Sequence, residues 1–570
     1  RHTGAVFLND RMLYETVTLE ECEKGEADPC AWNAKESEYK WFCQQEGEAA
    51  QPQYNSASYK SEYVVNAQAK QIKEGRFTVF YCNFKGLDPN KEKVEIFVRR
   101  NCFMPAQNGL NFITVSGFKI CNGATTWAPP AAYQDGLIGP HWSKGWIFED
   151  LEVYNSRCCG VSLGKYRDEE NDMYFYTKHV KSPTQMERDA VCRGQYHGWL
   201  KEKVGSHIIR RCHIHHCEQT GIVGRMGGVF STIEDCHIHH VCNSQQLGGA
   251  ETAGIKLHAA IDVTIRRNHI HHCIMGIWCD WQAQGARITQ NLLHDNWPPQ
   301  GRTHAQGAMF STDVFIEVGH GPTLIDNNLL LSPVSITMPS QGIAVVHNLI
   351  AGSFSYINAG VDSIVNGQRE PRYTPYHIRH RTEVAGFMTI LHGDDRVYNN
   401  IFVQLRPVTD PEKTPQNSDY QVVGTGPFDI FPSYEAWYAP FREGAEPNMG
   451  GLSVCHFGHL PAWVGGNAYF NGASVSRHDV TGLAAEKPVS LTFEEKDGGC
   501  VLETDLYDQL KDFRRGLIHS DLLGCAFEPE QRFENPDGSA ILFDRDFFGG
   551  HRGTETLPGP FAEGGTRFEI

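Results

Sequence analysis

Two acidic residues occupy the same phase of a repeating pattern in this chain. Asp280 lies eleven residues before Asn291 (291 − 280 = 11), at the end of Gly276-Ile277-Trp278-Cys279-Asp280. Glu317 lies eleven before Asn328 (328 − 317 = 11), at the end of Val314-Phe315-Ile316-Glu317. Each Asn precedes an apolar pair, Leu292-Leu293 or Leu329-Leu330. If the two segments are successive coils of a stacked β-solenoid, the carboxylates rise from neighbouring parallel strands, whose backbones lie ~4.8 Å apart. Carboxyl groups about 5–5.5 Å apart suit glycoside cleavage with retention, one as nucleophile and the other as acid/base.

A second marker extends this column. Gly221-Ile222, Gly254-Ile255 and Gly276-Ile277 each open a strand, and four residues beyond each Gly stand Arg225, His258 and Asp280. Glu317 joins them through the Asn marker. One polar residue on a solenoid strand reads as a solvated face, whereas Arg, His, Asp and Glu in register, flanked by aromatics, read as a site. Trp278 and Trp281 bracket Asp280, and His141, Trp142 and Trp146 on an earlier coil offer a wall. Sugar CH faces stack on such rings. Gln282 and Gln284 are placed to hydrogen-bond hydroxyls. Glu251, seven residues before His258 (258 − 251 = 7), supplies a third carboxyl. Like-charge repulsion and burial from it would raise a neighbour's pKa and keep one group protonated as the acid.

These residues need a stack to hold them, and the sequence supplies its period. Cys212, Cys236, Asn268, Asn291, Asn328 and Asn348 mark turns separated by 24 (236 − 212), 32 (268 − 236), 23 (291 − 268), 37 (328 − 291) and 20 (348 − 328) residues. Values near 23 predict coils of a three-sided parallel β-helix, and longer values a coil plus an inserted loop. The Asn residues are expected to form a hydrogen-bonded ladder. The His-Ile-His-His copies at 213–216, 237–240 and 269–272 raise a zinc reading. Three copies on successive coils are better explained by repeat packing, so no metal is expected. No cofactor motif opens a helix either.

The solenoid is expected over 101–450, with loop insertions at about 165–204 and 296–310. Alternating strands such as Phe77–Tyr81 and Val94–Val98 make 1–100 a separate β-sandwich-like module, with a polar and helical 18–75. Residues 451–570 read as a β-rich region holding the solenoid end and a packing extension. The net charge of −17 argues against nucleic-acid and anionic-membrane partners. No apolar run reaches the ~18 residues of a membrane span. The start at Arg1 looks internal, and the 18 cysteines fit a reducing, cytoplasmic compartment as buried thiols.

At these residues the chain resembles the glycoside hydrolase family 120 β-xylosidases. The similarity is carried by Gly139–Trp146, Glu218–Gly224, Phe230–Glu234, Gly248–Asp262, Gly276–Gly285 and Phe315–Pro322, the last including His320. The resemblance implies an all-β, right-handed parallel β-helix interrupted by a β-sandwich, and a homo-oligomer. It implies retaining release of xylose from the non-reducing end of xylo-oligosaccharides or other small β-glycosides. Asp280 matches the nucleophile, Glu317 the acid/base and Glu251 a further pocket carboxylate. His258, Arg225, Trp281, Trp278, Trp142, His141, Gln284 and His320 make up the expected substrate-binding set. About fourteen extra residues around 296–310 depart from the pattern. Rival readings are a β-helix polysaccharide lyase using Arg225 as base, a related arabinosidase or glucosidase, and a non-catalytic sugar-binding solenoid.

Overall fold

The computed structural model describes residues 4–29, 31–45, 78–97, 99–127, 132–167, 183–246, 251–297, 311–365, 367–407, 422–441, 458–496 and 498–570. Its frame is three long sheets of ten, eleven and eight strands, with successive coils adding parallel strands in register. One aliphatic column per sheet explains the stacking. Ile209, Ile233, Ile265, Ile288, Ile325, Val345, Val397 and Val464 pair in turn along the ten-stranded sheet. Ile222, Ile255, Ile277, Val314, Ile336 and Phe354 do so along the eight-stranded one. All are buried, so each coil hides its apolar face only against its neighbours.

The turns show why the marker residues recur. Arg211, Asp235, Arg267, Gln290, Asn327, His347 and Asn399, each one residue before a marker, take positive φ and swing the chain from one sheet to the next. Asn Nδ2 donates to the Oδ1 of the next marker from Asn268 through Asn291, Asn328, Asn348 and Asn400 to Asn467, each at 2.9–3.0 Å. Cys236 joins through its backbone N–H, which donates to Asn268 Oδ1 at 3.0 Å. The Gly marker has a steric cause: a Cβ on Gly276 would lie 2.6 Å from the Asp313 carbonyl oxygen of the next coil.

The stack continues past residue 450 in Ala462–Gly465, Ala468–Phe470 and Leu483–Ala484. The 67-residue step from Asn400 to Asn467 hides this coil from a periodicity argument. Asn296 belongs to the coil rather than to the insertion expected at 296–310: it is buried and its Nδ2 donates to Asp313 Oδ1 at 2.9 Å. Residues 298–310, with His304, lie outside the described residues, as do 46–77 of the N-terminal module and 168–182 of the earlier excursion. The rest of that excursion holds a helix, Pro183–Tyr196.

In the N-terminal module, one three-stranded sheet (Val6–Leu8, Arg11–Met12, Val94–Ile96) faces another (Tyr14–Glu15, Lys40–Gln45, Thr78–Asn83). Val6, Leu8, Trp41 and Cys43 fill the space between them. At the other end, Ile518, Leu523, Phe533, Ile541 and Phe543 cover Leu324, Ala344 and Val346 on the outside of the stack. All 16 described cysteines are free thiols.

Removing one rung should be expensive. Asn328→Ala deletes the side-chain bonds to Asn348 Oδ1 and Ile288 O and removes the Oδ1 acceptor of Asn291 N and Nδ2, orphaning the backbone donor. Urea unfolding should show a loss of about 2–4 kcal/mol.

Candidate active site

Four strands, Thr220–Arg225, Ala253–His258, Met275–Asp280 and Thr312–Glu317, end level with one another. Arg225 pairs with His258, His258 with Asp280, and Asp280 with Glu317, so the predicted column exists in the register. Alternation decides which side chains face out: Ile277 and Cys279 join the core, leaving Trp278 and Asp280 on the opposite face. Behind each column residue the chain turns sharply, with Met226, Ala259, Trp281 and Val318 at φ of 69°, 54°, 29° and 49°. For β-branched Val318 that conformation is strained, on the order of 1–3 kcal/mol, as is common at functional sites.

Charges around the two carboxyl groups are unequal. Lys256 Nζ lies 2.9 Å and His258 Nε2 3.0 Å from Asp280 Oδ2. Burial opposes ionisation of Asp280, yet these two cations outweigh it and hold its carboxyl well below the usual range. Asp280 Oδ1 is buried without a protein partner. Glu317 sits beside this anion. Burial, reinforced by the Asp280 charge and only partly offset by Arg372, pushes Glu317 up to about 7. The pair is thus split into a carboxylate with one unpaired oxygen and a carboxylic acid that holds its proton near neutrality. That combination supports nucleophilic attack and proton donation from one face.

Glu251 has a different part from the one expected. It is ion-paired to Lys256, its Oε1 lies 3.1 Å from His258 Nε2, and Gln134 Nε2 donates to its Oε2 at 2.9 Å. Burial opposes its charge, but Lys256 and His258 bring its pKa down to about 2. The push on Glu317 comes from Asp280, while Glu251 balances the cations behind Asp280. His258 is raised despite burial and Arg225, because Asp280 and Glu251 flank it.

Other expected residues divide into near and remote. Arg225 is buried at the column end and ion-paired with Glu187 of the Pro183–Tyr196 helix. Trp281 adjoins the column, packed on Val318, with the Arg372 guanidinium 5.6 Å from its ring centre. Trp278 shares the Asp280 face but is covered by Phe315, 5.1 Å between ring centres, and by Lys256. Trp142 is not a free wall: it is buried against Tyr166 and Trp199, and its Nε1 donates to His197 O at 2.6 Å. His141 is half-buried at φ 56° against the Tyr133 hydroxyl.

Gln284 and His320 tie a hairpin to the coil. Gln284 donates to His377 O and Gln531 Oε1 and accepts from His377 N, at 2.8–2.9 Å. His320 Nε2 lies 3.3 Å and 3.2 Å from the Thr374 and Met388 carbonyl oxygens. Both fasten the hairpin Thr374–His377/Val384–Met388 to the coil.

Sequence reasoning missed Lys256, Glu187 and Arg372. Lys256 left a signal, a Lys inside an apolar strand two residues before His258 and in phase with it. Glu187 and Arg372 come from excursions far along the chain and left none.

A family model described as "Glycoside hydrolase 120, insertion domain" matches residues 1–96, and one described as "Right handed beta helix region" matches 141–330. A solved structure described as the complex structure of XylC with xylose is 33% identical, with a TM-score of 0.82 over 100% of this chain and 81% of its own. The chain belongs to glycoside hydrolase family 120. Pectate lyase Pel9A is also similar in part, at 12% identity and TM-score 0.29 over 56% of this chain and 68% of its own. No curated protein matches. The family 120 assignment makes the protein a glycoside hydrolase on a right-handed β-helix and sets aside the non-catalytic binding solenoid. A lyase base is not favoured either: Arg225 is held by Glu187, and Lys256 by Glu251 and Asp280.

The charge pattern predicts that two different variants each raise one limb of the pH profile of kcat/KM. Lys256→Met removes a cation that favours Asp280 ionisation, so the acidic limb should move to higher pH. Arg372→Ala removes the cation that favours Glu317 ionisation, so the alkaline limb, set near about 7, should also move up. Initial rates on an aryl glycoside between pH 4 and 9 measure both, and unmoved limbs would contradict the assigned couplings.

Proposed function

We propose that this family 120 hydrolase is a retaining, exo-acting β-xylosidase that releases xylose from the non-reducing end of xylo-oligosaccharides or small β-xylosides. The asymmetric carboxyl pair on adjacent strands carries the reading. An inverting pair needs about 6.5–9.5 Å for an intervening water, whereas directly paired strands are ~4.8 Å apart. Asp280 Oδ1 attacks the anomeric carbon as Glu317 protonates the departing oxygen, giving a covalent xylosyl ester. Glu317, now a carboxylate, takes a proton from water, which attacks the same carbon and restores the configuration. His258 and Lys256 keep Asp280 ionised before attack and spread the charge that returns to it.

Xylose as the sugar is supported by the similar structure, whose description names that sugar. A neutral polyol suits the face: Arg225 Nε and Nη1, Glu187 Oε1, His258 Nδ1 and Asp280 Oδ1 are buried without a hydrogen-bond partner, and hydroxyls would satisfy them. From Arg225 to Glu317 spans three strand spacings, ~14 Å. Glu187 stands at one end and Arg372 at the other, which suits a short site rather than a long groove. The same proposal includes assembly as a homo-oligomer.

Asp280→Asn should cut kcat on an aryl β-xyloside by at least about 10⁴-fold. Glu317→Gln should cost about 10²–10⁴-fold with poor leaving groups and less with activated ones. Proton NMR of the first-formed sugar should show β-xylose; α-xylose first would sink the retaining scheme. A panel of aryl xylosides, arabinosides and glucosides tests the sugar itself.

A further inference from the structure

The outer face of the eleven-stranded sheet carries a second concentration of chemistry, on a different sheet from the Asp280 strand. Its His-Ile-His-His strands stack imidazoles in columns: His213, His237 and His269 have ring centres 5.0 and 4.8 Å apart, and His215, His239, His271 and His294 continue beside them. Repeat packing accounts for these columns as far as imidazoles go. It does not account for what meets them. The hairpin Leu491–Lys496/Gly499–Thr504 lays Glu495 and Cys500, which are direct cross-strand partners, onto the end of the columns.

Here four donor atoms of different chemistry converge. His269 Nε2 lies 2.7 Å from His294 Nε2 and 3.9 Å from Cys500 Sγ. Glu495 Oε1 is 3.2 Å from His294 Nε2 and 3.9 Å from His269 Nε2. Zinc takes nitrogen at about 2.0–2.1 Å and sulfur at about 2.3 Å, so a tetrahedral site separates such donors by roughly 3.3–3.7 Å. His269 Nε2, His294 Nε2 and Cys500 Sγ lie within 4.8 Å of one another, so small ring and thiol shifts bring these three into that range, with Glu495 Oε1 beside His294 as the fourth. The outer partner is also in place: His294 Nδ1 lies 2.7 Å from Asp295 Oδ2, which holds the ring proton on Nδ1 and leaves the Nε2 lone pair facing the cluster.

We propose that His269, His294, Cys500 and Glu495 form a binding site for a divalent transition ion of the zinc class, which clamps the C-terminal hairpin to the solenoid. The Cys500 thiol gives its proton to solvent on ligation. Adjacent triads such as His213, His237 and His239 hold imidazoles alone, so the thiol distinguishes the site.

Tag-free protein, stripped with chelator and dialysed against micromolar Zn²⁺, should retain one metal per chain and melt a few degrees higher. With Co²⁺ it should show a thiolate-to-cobalt charge-transfer band. Cys500→Ser should lose the band and bind zinc at least tenfold more weakly, with His269→Gln as an independent second variant. Cys525→Ser, an exposed thiol elsewhere, should keep both signals. Hydrolysis by Cys500→Ser should stay within twofold of wild type, so this result is separable from the hydrolase reading. Absence of zinc retention, or retention unchanged in Cys500→Ser, overturns the proposal.

Discussion

The register between neighbouring parallel strands is the constraint on which this enzyme rests. Side chains alternate, so a one-residue slip between the Asp280 and Glu317 strands would turn one carboxyl into the core and bring a hydrophobe out. The Asn ladder resists such a slip, because each Nδ2 and backbone N–H in it is aimed at one oxygen of the next coil. The inward aliphatic columns resist it independently, since sliding would open voids in a dry core. Structural repetition and catalytic precision therefore share one cause.

On that rigid face the chemistry comes from unequal neighbours. Asp280 and Glu317 occupy equivalent positions on adjacent coils and are both buried. Two buried cations lie against Asp280, while Glu317 faces the resulting anion with a single guanidinium that is partly open to solvent. Glu251 completes the set by neutralising the excess positive charge behind Asp280. Without it the buried Lys256 and His258 would be a costly unbalanced pair.

The solenoid by itself would present an open sheet. Excursions cover both ends of the column. The Pro183–Tyr196 helix brings Glu187 over Arg225, and the segment between Ser355 and Asp395 brings Arg372 over Trp281 and Glu317. Gln284 and His320, which looked like sugar ligands, hold this segment down. Long insertions between coils cost the stack little, because each leaves and rejoins at a fixed turn, as Asn296 and Asp313 show.

The sequence by itself determined the coil period, the Asn ladder, the inward Ile column and the order Arg225, His258, Asp280, Glu317. These are nearest-neighbour properties of a one-dimensional stack, so matching phase along the chain becomes contact in space. It also held a trace of Lys256, whose charge breaks an apolar strand. What it could not decide depends on contacts between segments with no common period. Only the tertiary structure placed Arg372 on Glu317, moved Glu251 from repelling the acid to balancing cations, buried Trp142 under a helix, and set Cys500 against the imidazole columns. Those contacts are made by loops and the C-terminal hairpin, whose paths follow from packing against the finished stack and not from any repeat in the chain.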